Sequence, residues 1–344
     1  MDRIQFTAPY EQIISVDNLL EAWKEFIRGK RKRKDVQEFE RHLLHNILAL
    51  HHGLVVETYT HGPYDAFKIN DPKPRDIHKA SVRDRLLHHA LYRQLYPFFD
   101  RTFISDSYSC RLEKGTHRAM NAFRRHAYQE SKNNTRTLWV LKCDIRKFFD
   151  SINQEMLIRI LAERITDERI VQLLKNIILS FSSVGKGRGL PLGNLTSQLL
   201  VNIYMNEFDQ FAKHRLKAKH YIRYADDFVF LSSDHEWLVS LLPRISDFLR
   251  DRLDLTLHPN KVSISTLASG VDFLGWVHFP NRRVLRTTTK KRMFRNIYEK
   301  AGEESTVASY LGLLTHGNAG KLRQQISSIV EYQTFSTESL ISEK

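Results

Sequence analysis

Cysteine is nearly absent from this chain: Cys110 and Cys143 are the only two in 344 residues. They stand far apart with no His/Cys cluster at zinc spacing, which argues against a disulfide framework or a structural zinc site and fits a reducing compartment. No run approaches the roughly eighteen consecutive apolar residues that would span a bilayer. The opening stretch MDRIQFTAPYEQ lacks the apolar core of a signal peptide, so a soluble, cytoplasmic protein is expected. Acidic residues are in short supply too, 39 Asp plus Glu against 53 Lys plus Arg, for a formal net charge of +14. Such an excess points to a polyanionic partner, most often nucleic acid, ahead of a ribosomal or membrane-surface role. Apolar residues are not scarce: at 42% of the chain they suffice for one large core or two modest ones.

Periodicity divides the chain. Val16 to His51 reads as helices interrupted by the basic run Lys30 to Lys34, with Leu43, Leu44, Ile47, Leu48 and Leu50 at helical spacing. The run reads equally as a solvated face or as a contact for structured RNA or an acidic protein. Val55 to Thr60 and Tyr64 to Ile69, split by His61-Gly62-Pro63, suit a β-hairpin, and Asp71-Pro72-Lys73-Pro74 breaks regular structure. Ser81 to Phe99 is helical. Thr137 to Ile145 reads as a buried strand, followed by a capping box from Ser151 and Gln154 that opens a helix. After a glycine-rich loop, Gly185 to Gly193, a second amphipathic helix carries Leu195 to Phe208. Tyr221 to Leu231 reads as strand, turn, strand; Val271 to Phe279 gives further strand signals, and the region after Arg286 is helical and basic before a polar tail. No internal repeat or low-complexity stretch is evident.

Two adjacent carboxylates, Asp226 and Asp227, fall between the apolar runs Tyr221-Ile222 and Phe228 to Leu231, where a tight hairpin presents them at a sheet edge. Magnesium supplies a reason for placing them there, because it prefers oxygen ligands and binds through carboxylates together with substrate phosphates. Two such ions about 4 Å apart activate an attacking hydroxyl and stabilise the leaving oxygen of an in-line displacement. Asp144, at the end of its strand, and Asp226 provide the ligands, with Asp227 in support.

With LKCDIRKFFDSI around Asp144, Tyr224-Ala225-Asp226-Asp227, and LPLGNLTSQLLVNIY from Leu190 to Tyr204, the chain from about Tyr64 to Asn318 resembles the reverse transcriptases. The resemblance implies an α+β right-hand polymerase: an N-terminal helical extension at 1–60, fingers at 61–136, a palm at 137–280 with a fingers-associated insertion at about 165–192, and a short helical thumb and tail at 281–344. It implies Asp144, Asp226 and Asp227 as catalytic residues, and these with Ile145 as ligands of two Mg2+ ions. Phe149 matches the aromatic that blocks a 2′-hydroxyl on the incoming nucleotide, Tyr224 packs near the primer terminus, and Lys261 in LHPNK lies near the departing pyrophosphate. Lys73 and Arg75, with Lys79, resemble a triphosphate clamp.

Group II intron enzymes usually carry Pro-Gln-Gly and Ser-Pro where this chain has Leu192-Gly193 and Ser197-Gln198. That departure is typical of reverse transcriptases from diversity-generating retroelements, whose template-repeat RNA is copied with errors at adenines for mutagenic retrohoming. Replacing the polar side chain by Leu192 removes a hydrogen-bonding contact near the nascent base pair, while Gly193 lets backbone approach the nucleotide and Ser197 starts the helix. A small basic accessory protein is an expected partner, beside template RNA, primer or cDNA and dNTPs. On the nucleic-acid side, Arg111 and Lys114 match a template-contacting block, Gly275-Trp276 resembles a primer grip, and Lys290, Lys291, Arg292 and Arg295 suit phosphate tracking on a thumb helix. Two further readings stay open: a retron-like or antiviral reverse transcriptase, and a non-catalytic RNA-binding scaffold. An intron maturase fits less well, since the chain ends soon after a short thumb.

Overall fold

A computed structural model describes residues 4–70, 74–183, 185–300 and 303–329. The chain begins with four helices, α1 (Tyr10–Ile14), α2 (Val16–Phe26), α3 (Lys34–Arg41) and α4 (Leu43–Val55). In α2 the apolar residues Leu19, Ala22, Trp23 and Phe26 recur at helical spacing and are buried, and the Ser15 side chain caps the first turn by accepting from the Asn18 N–H. A hairpin of β1 (Asp65–Ile69) and β2 (Arg75–Lys79) follows, then α5 (Val82–Asp100), capped by Ser81, and α6 (Thr116–Glu130).

The centre is formed by β3 (Trp139–Asp144), the short α7 (Phe148–Ser151), α8 (Gln154–Ala162), α9 (Glu168–Leu179), α10 (Leu195–His214), β4 (Tyr221–Tyr224), β5 (Asp227–Ser232), α11 (His235–Leu253) and β6 (Ser263–Thr266). The chain then makes a three-stranded sheet of β7 (Val271–Phe273), β8 (Trp276–His278) and β9 (Arg283–Leu285), followed by α12 (Thr287–Glu299), α13 (Glu304–Leu314) and a helical stretch at 320–329.

The central sheet is antiparallel with strand order β4-β5-β3-β6. Both its faces are covered, which is why its strands read as near-continuous apolar runs rather than alternating ones. Leu141, Cys143, Tyr221, Phe228 and Phe230 point into the main core, shared with Phe208 of α10, Leu241 and Ile245 of α11, and helices α1, α2 and α5. Val140, Ile222, Val229 and Leu231 point the other way, against Ala119, Ala122 and Phe123 of α6. A third cluster, built on Trp276, Leu285, Met293, Ile297 and Leu314, holds the C-terminal sheet and helices together. The N-terminal helices therefore share the core of the central sheet instead of standing apart as an extension.

Three local expectations are corrected. Val55 to Thr60 is no strand: α4 runs to Val55, and β1 pairs with β2, Phe67 opposite Ile77. Tertiary burial of Ile47, Leu50 and Leu54 on one face of α4 outweighs the β-branched pair that follows them. The capping box is absent as well. Asn153 caps α8 by accepting from the Met156 N–H, and the Gln154 amide is drawn inward to the carbonyls of Ile178, Phe181 and Gly189. Finally, α10 starts at Leu195 rather than Ser197, and Asn194 before it bonds the His78 carbonyl.

Candidate active site

The hairpin between β4 and β5 has a two-residue loop, Ala225-Asp226, because Tyr224 pairs with Asp227. Ala225 has φ +56°, the left-handed region that such tight loops need and that glycine usually fills. Holding alanine there costs about 1–2 kcal/mol. Asp227 is thus the first strand residue, not a turn residue, and on its other side it lies directly opposite Asp144 of β3. Side chains alternate along a strand, so Asp144, Lys142 and Asp227 share the face that also carries Val140 and Val229. Two like charges directly opposite on one face are destabilising, with a third carboxylate one residue away.

Burial and this crowding act on the acids together. The Asp226 carboxyl is pushed up to about 6 by burial first and then by Asp144. Asp227 is also raised, mainly by burial, with the Lys142 ammonium pulling the other way. Lys142 Nζ lies 3.7 Å from Asp227 Oδ1 and donates to the Asp272 carbonyl at 2.7 Å. Lys261 Nζ donates to Asp144 Oδ1 at 2.8 Å. Asp227 Oδ1 is shielded from solvent and accepts no hydrogen bond. Next to Asp144, Ile145 bridges Leu257, but the bonds of that bridge run from the Arg146 N–H to Thr256 and from the His258 N–H to Asp144. The Ile145 carbonyl consequently points to the opposite side, toward β5.

An orphaned buried carboxylate oxygen, two raised acids and an adjoining backbone carbonyl are a donor set suited to a hard divalent cation such as Mg2+. Among the described residues no three acidic, His or Cys side chains converge on one ion as they stand. Lys261 explains part of this, since its ammonium holds the Asp144 oxygen that a cation would take.

Behind the hairpin lies a buried network that sequence reasoning missed. Arg223, fully buried, donates through Nε and Nη2 to both oxygens of the equally buried Asp209 of α10, at 2.8 and 2.6 Å. It also reaches Asn202 Oδ1, Ser107 Oγ and the Ala225 carbonyl in the loop itself, while the Tyr221 hydroxyl donates to Asp209 at 2.7 Å. The segment at 106–108 runs alongside β4 through bonds from the Arg223 N–H to Asp106 and from the Tyr108 N–H to Arg223. A charged residue at the inward parity of an apolar strand, and an aspartate beside Phe208 in an apolar helix, are the signals that could have revealed this pair. Lys142, two residues before Asp144 and therefore on its face, was legible in the same way.

Of the residues expected to meet the nucleotide, Phe149 is half-buried and packs on the main core beside Phe148. Tyr224 is half-buried, with its hydroxyl accepting from Thr116 Oγ1 at 3.1 Å. Gly193 and Gln198 line a cavity of about 330 Å³ together with Lys30, Arg33, Lys79 and Arg85. The basic run therefore contributes to this cavity; Lys30 Nζ donates to the Phe26 carbonyl at 2.8 Å. The Leu192 carbonyl accepts from the His78 N–H, which ties the loop to β2. Gly193 has φ +102°, and a Cβ there would lie 2.8 Å from Ile77, so the close approach that requires glycine is to the protein's own strand. Arg75 is exposed at the start of β2, while Lys79 is held by Asp35 at 3.0 Å. Lys73 lies outside the described residues.

Two of the expected nucleic-acid contacts are corrected. The Arg111 side chain is buried, spent on Asp100 and on the carbonyls of Ile104 and Ser107, so it holds a loop and does not present a free cation. Trp276 is 1% exposed at the centre of the C-terminal cluster, with Gly317 packed so closely that a Cβ would sit 2.0 Å from its ring. Gly275, with φ +85°, follows Leu274 at φ +53°, a pair of positive φ values that forms the two-residue turn between β7 and β8. Lys114 donates to the Ser105 carbonyl, with its ammonium over the Tyr108 ring. Met293 and Ile297 of α12 face inward as expected; Lys290, Lys291, Arg292 and Arg295 lie on the same helix, Arg295 beside Glu299 at 3.8 Å.

An antiparallel sheet that carries clustered carboxylates on one face, backed by helices and flanked by a β-hairpin and a C-terminal helical unit, defines the class of right-hand nucleic-acid polymerases. The expected α+β fold is confirmed by a solved structure, telomerase from Candida albicans in complex with a TWJ fragment of telomeric RNA. It aligns with a TM-score of 0.50 at 11% identity, over 67% of this chain and 48% of that one. The sequence matches the reverse transcriptase (RNA-dependent DNA polymerase) family over residues 68–278, and the chain belongs to that family. Protein YkfC of Escherichia coli K12 is 28% identical over 254 residues, 62% of this chain and 66% of that protein. The group II intron-encoded protein LtrA of Lactococcus lactis subsp. cremoris is 23% identical over 295 residues, 65% of this chain and 47% of that protein. The chain thus spans less than two thirds of the length of these relatives. Among the described residues no helix is long and apolar enough to cross a membrane.

Proposed function

We propose that this chain is an RNA-directed DNA polymerase that copies an RNA template into cDNA, with Asp144, Asp226 and Asp227 as its catalytic residues. The observation that carries the reading is the Asp144 and Asp227 cross-strand pair with Asp226 on the adjoining loop, a charge arrangement that weakens the fold and has a use only with cations. The three carboxylates and the Ile145 carbonyl would hold two Mg2+ ions, whose chemistry is activation of the primer 3′-hydroxyl and stabilisation of the leaving pyrophosphate. Lys261, bonded to Asp144, would release that oxygen were a cation to occupy the site, and its ammonium would then be free for the departing phosphate oxygens. Phe149, five residues past Asp144, limits room at the sugar and so selects dNTP over NTP. Tyr224 positions the primer end, and Arg75, with Lys73, meets the triphosphate. Lys114, the backbone at Gly275 and the cations of α12 follow template and primer phosphates.

Within this activity the reading is of a diversity-generating type: an error-prone copy, at template adenines, of a template-repeat RNA for mutagenic retrohoming, in the cytoplasm, with a small basic accessory protein. Leu192 supports it physically. Placed by its carbonyl bond to His78 beside the cavity that holds Gly193 and Gln198, it offers no hydrogen bond to a nascent base pair. The test is magnesium-dependent dNTP incorporation on the RNA encoded beside the gene, with sequencing of the cDNA, for wild type against Asp226→Ala plus Asp227→Ala. Errors concentrated opposite adenines and abolished in the variant are expected. Accurate cDNA would move the reading to a retron-like or antiviral enzyme, and no synthesis with partners supplied would leave an RNA-binding scaffold.

A further inference from the structure

A second basic site lies at the other end of the central sheet. The turn between β8 and β9, the α6 face at Phe123, Arg124 and Ala127, and the stretch Thr315 to Asn318 enclose a cavity of about 240 Å³. Its charged lining is Arg124, Arg282 and Arg283, and no carboxylate lines it. Among the described residues none of these three arginines is paired with an acid, although the chain forms many ion pairs elsewhere. Arg283 is fixed in place: Nε donates to the His316 carbonyl, its N–H donates to Asn318 Oδ1 at 3.2 Å, and its carbonyl accepts from the Asn318 N–H at 2.9 Å. So oriented, its Nη1 is shielded from solvent and finds no hydrogen-bond partner. Leaving a buried charged donor unmet is costly, and in native proteins such a group signals an absent water or ion.

Like charges gathered around an unmet guanidinium N–H call for an anion with several acceptor oxygens, and phosphate matches the arginine fork. Burial and the neighbouring Arg124 both disfavour the charge on Arg283, a strain that a bound anion would relieve. The cavity is not part of the carboxylate site. Leu267, in its wall, donates its N–H to Leu138, just before β3, whereas Asp144 ends that strand. At about 3.3 Å per residue Leu138 and Asp144 are roughly 20 Å apart. The surroundings continue the cationic character: Tyr128, 50% exposed, lies one helical turn from Arg124 on α6, and Arg136 lines the adjoining groove, which shares Leu267 and Pro280. Exposed arginines beside Tyr128 and the half-buried Phe279 ring offer phosphate and stacking contacts together, which suit a nucleic-acid strand rather than an acidic protein.

We propose that Arg124, Arg282 and Arg283 form a phosphate-binding site for RNA outside the catalytic cleft, one that holds a part of the template RNA that is not being copied. This rests on the polymerase reading for the identity of the RNA, but not for the existence of the site. The experiment uses the full chain and two variants, Arg124→Gln plus Arg282→Gln, of which Arg282 rests on the Phe279 ring at 4.8 Å and pairs with no acid among the described residues, and Arg283→Gln. Binding of a labelled single-stranded RNA is measured by anisotropy across a salt series. In parallel, first-dNTP incorporation is measured on a primer–template too short to leave the cleft.

Loss of one or two phosphate contacts predicts roughly tenfold weaker RNA binding and a salt slope reduced by about 0.7 per contact, with short-substrate incorporation unchanged. Unchanged affinity and slope in the double variant would overturn the proposal. So would a fall in incorporation that parallels the fall in binding, which would place these arginines in the cleft. Inorganic phosphate or an acidic peptide that binds the wild type, is lost in the variants and is not displaced by RNA would also overturn it, assigning the cavity to a small anion or a protein. RNA binding that depends on the arginines in a chain making no DNA would sink the polymerase reading and leave this site standing.

Discussion

Replacing Asp226 by asparagine keeps the shape of the loop and deletes one of three crowded charges, so it measures what the carboxylate cluster costs the fold. The Asp226 carboxyl moves from an ordinary 3.8 to about 6 on folding, because burial and Asp144 both disfavour its charge. Between those values the folded chain binds more protons than the unfolded one. Stability therefore falls as pH rises through this window, and the penalty is complete above about pH 6. At about 1.4 kcal/mol per pKa unit the shift corresponds to about 3 kcal/mol, reduced to about 2 kcal/mol for the water that still reaches the side chain. In metal-free buffer Asp226→Asn is accordingly more stable than wild type by about 2 kcal/mol at pH 7.5 and equal to it near pH 4.

Urea unfolding followed by tryptophan fluorescence, with chelator present, reads both values. Added magnesium narrows the gap at pH 7.5 by stabilising the wild type more than the variant, since a bound cation neutralises the repulsion that the substitution removes. A stability difference that is the same at both pH values would refute the electrostatic argument. A variant less stable than wild type at pH 7.5 would refute it outright.

Arg223→Met strands Asp209 in the core and should lower unfolding stability by about 3–5 kcal/mol; Arg223→Met with Asp209→Leu should recover part of that, and equal losses in single and double variants would refute the pairing. Phe149→Ala should raise NTP incorporation relative to dNTP in single-turnover primer extension, with dNTP use less affected; an unchanged ratio would assign Phe149 to packing alone. Gly317→Ala forces a methyl into the Trp276 ring and should cost about 1–3 kcal/mol, read as a lower thermal midpoint with a shifted tryptophan emission; an unaltered midpoint would refute the close packing.

The central strands were legible because they are covered on both sides and so leave unbroken apolar runs, and the hairpin of Asp226 and Asp227 was legible because two aspartates interrupt such a run. The helices α5 and α10 followed from 3.6-residue spacing. What escaped were relations between distant parts of the chain. Lys261 and Asp144 meet across 117 residues, and nothing near either position announces the other. Trp276 next to Gly275 looked available to a primer, but the C-terminal helices that enclose it come later in the chain. Arg111 sits in a loop whose carbonyls it satisfies, and a loop's internal bonding leaves no periodic trace. The misplaced hairpin partner of Tyr64 to Ile69 has the same origin: strand pairing is a long-range choice, and Val55-Val56 was nearer in sequence than Arg75 to Lys79.

Local and distant features meet in the hairpin itself. A strained alanine in the left-handed region, two acids facing across adjacent strands and a third on the loop would together open the β4 and β5 turn if the ladder alone held it. Arg223 is placed to prevent this, because its guanidinium grips the Ala225 carbonyl on one side and Asp209 of the longest helix of the core on the other. A neutral side chain could fill the same space at a lower cost of burial, yet it could not bond a loop carbonyl, a hydroxyl and a carboxylate at once. The charge pair is therefore better explained as a fixture for geometry than as a source of stability. Its prediction is asymmetric: pairing Arg223→Met with Asp209→Leu returns stability without returning the loop's position, so dNTP incorporation should stay low after the fold has recovered.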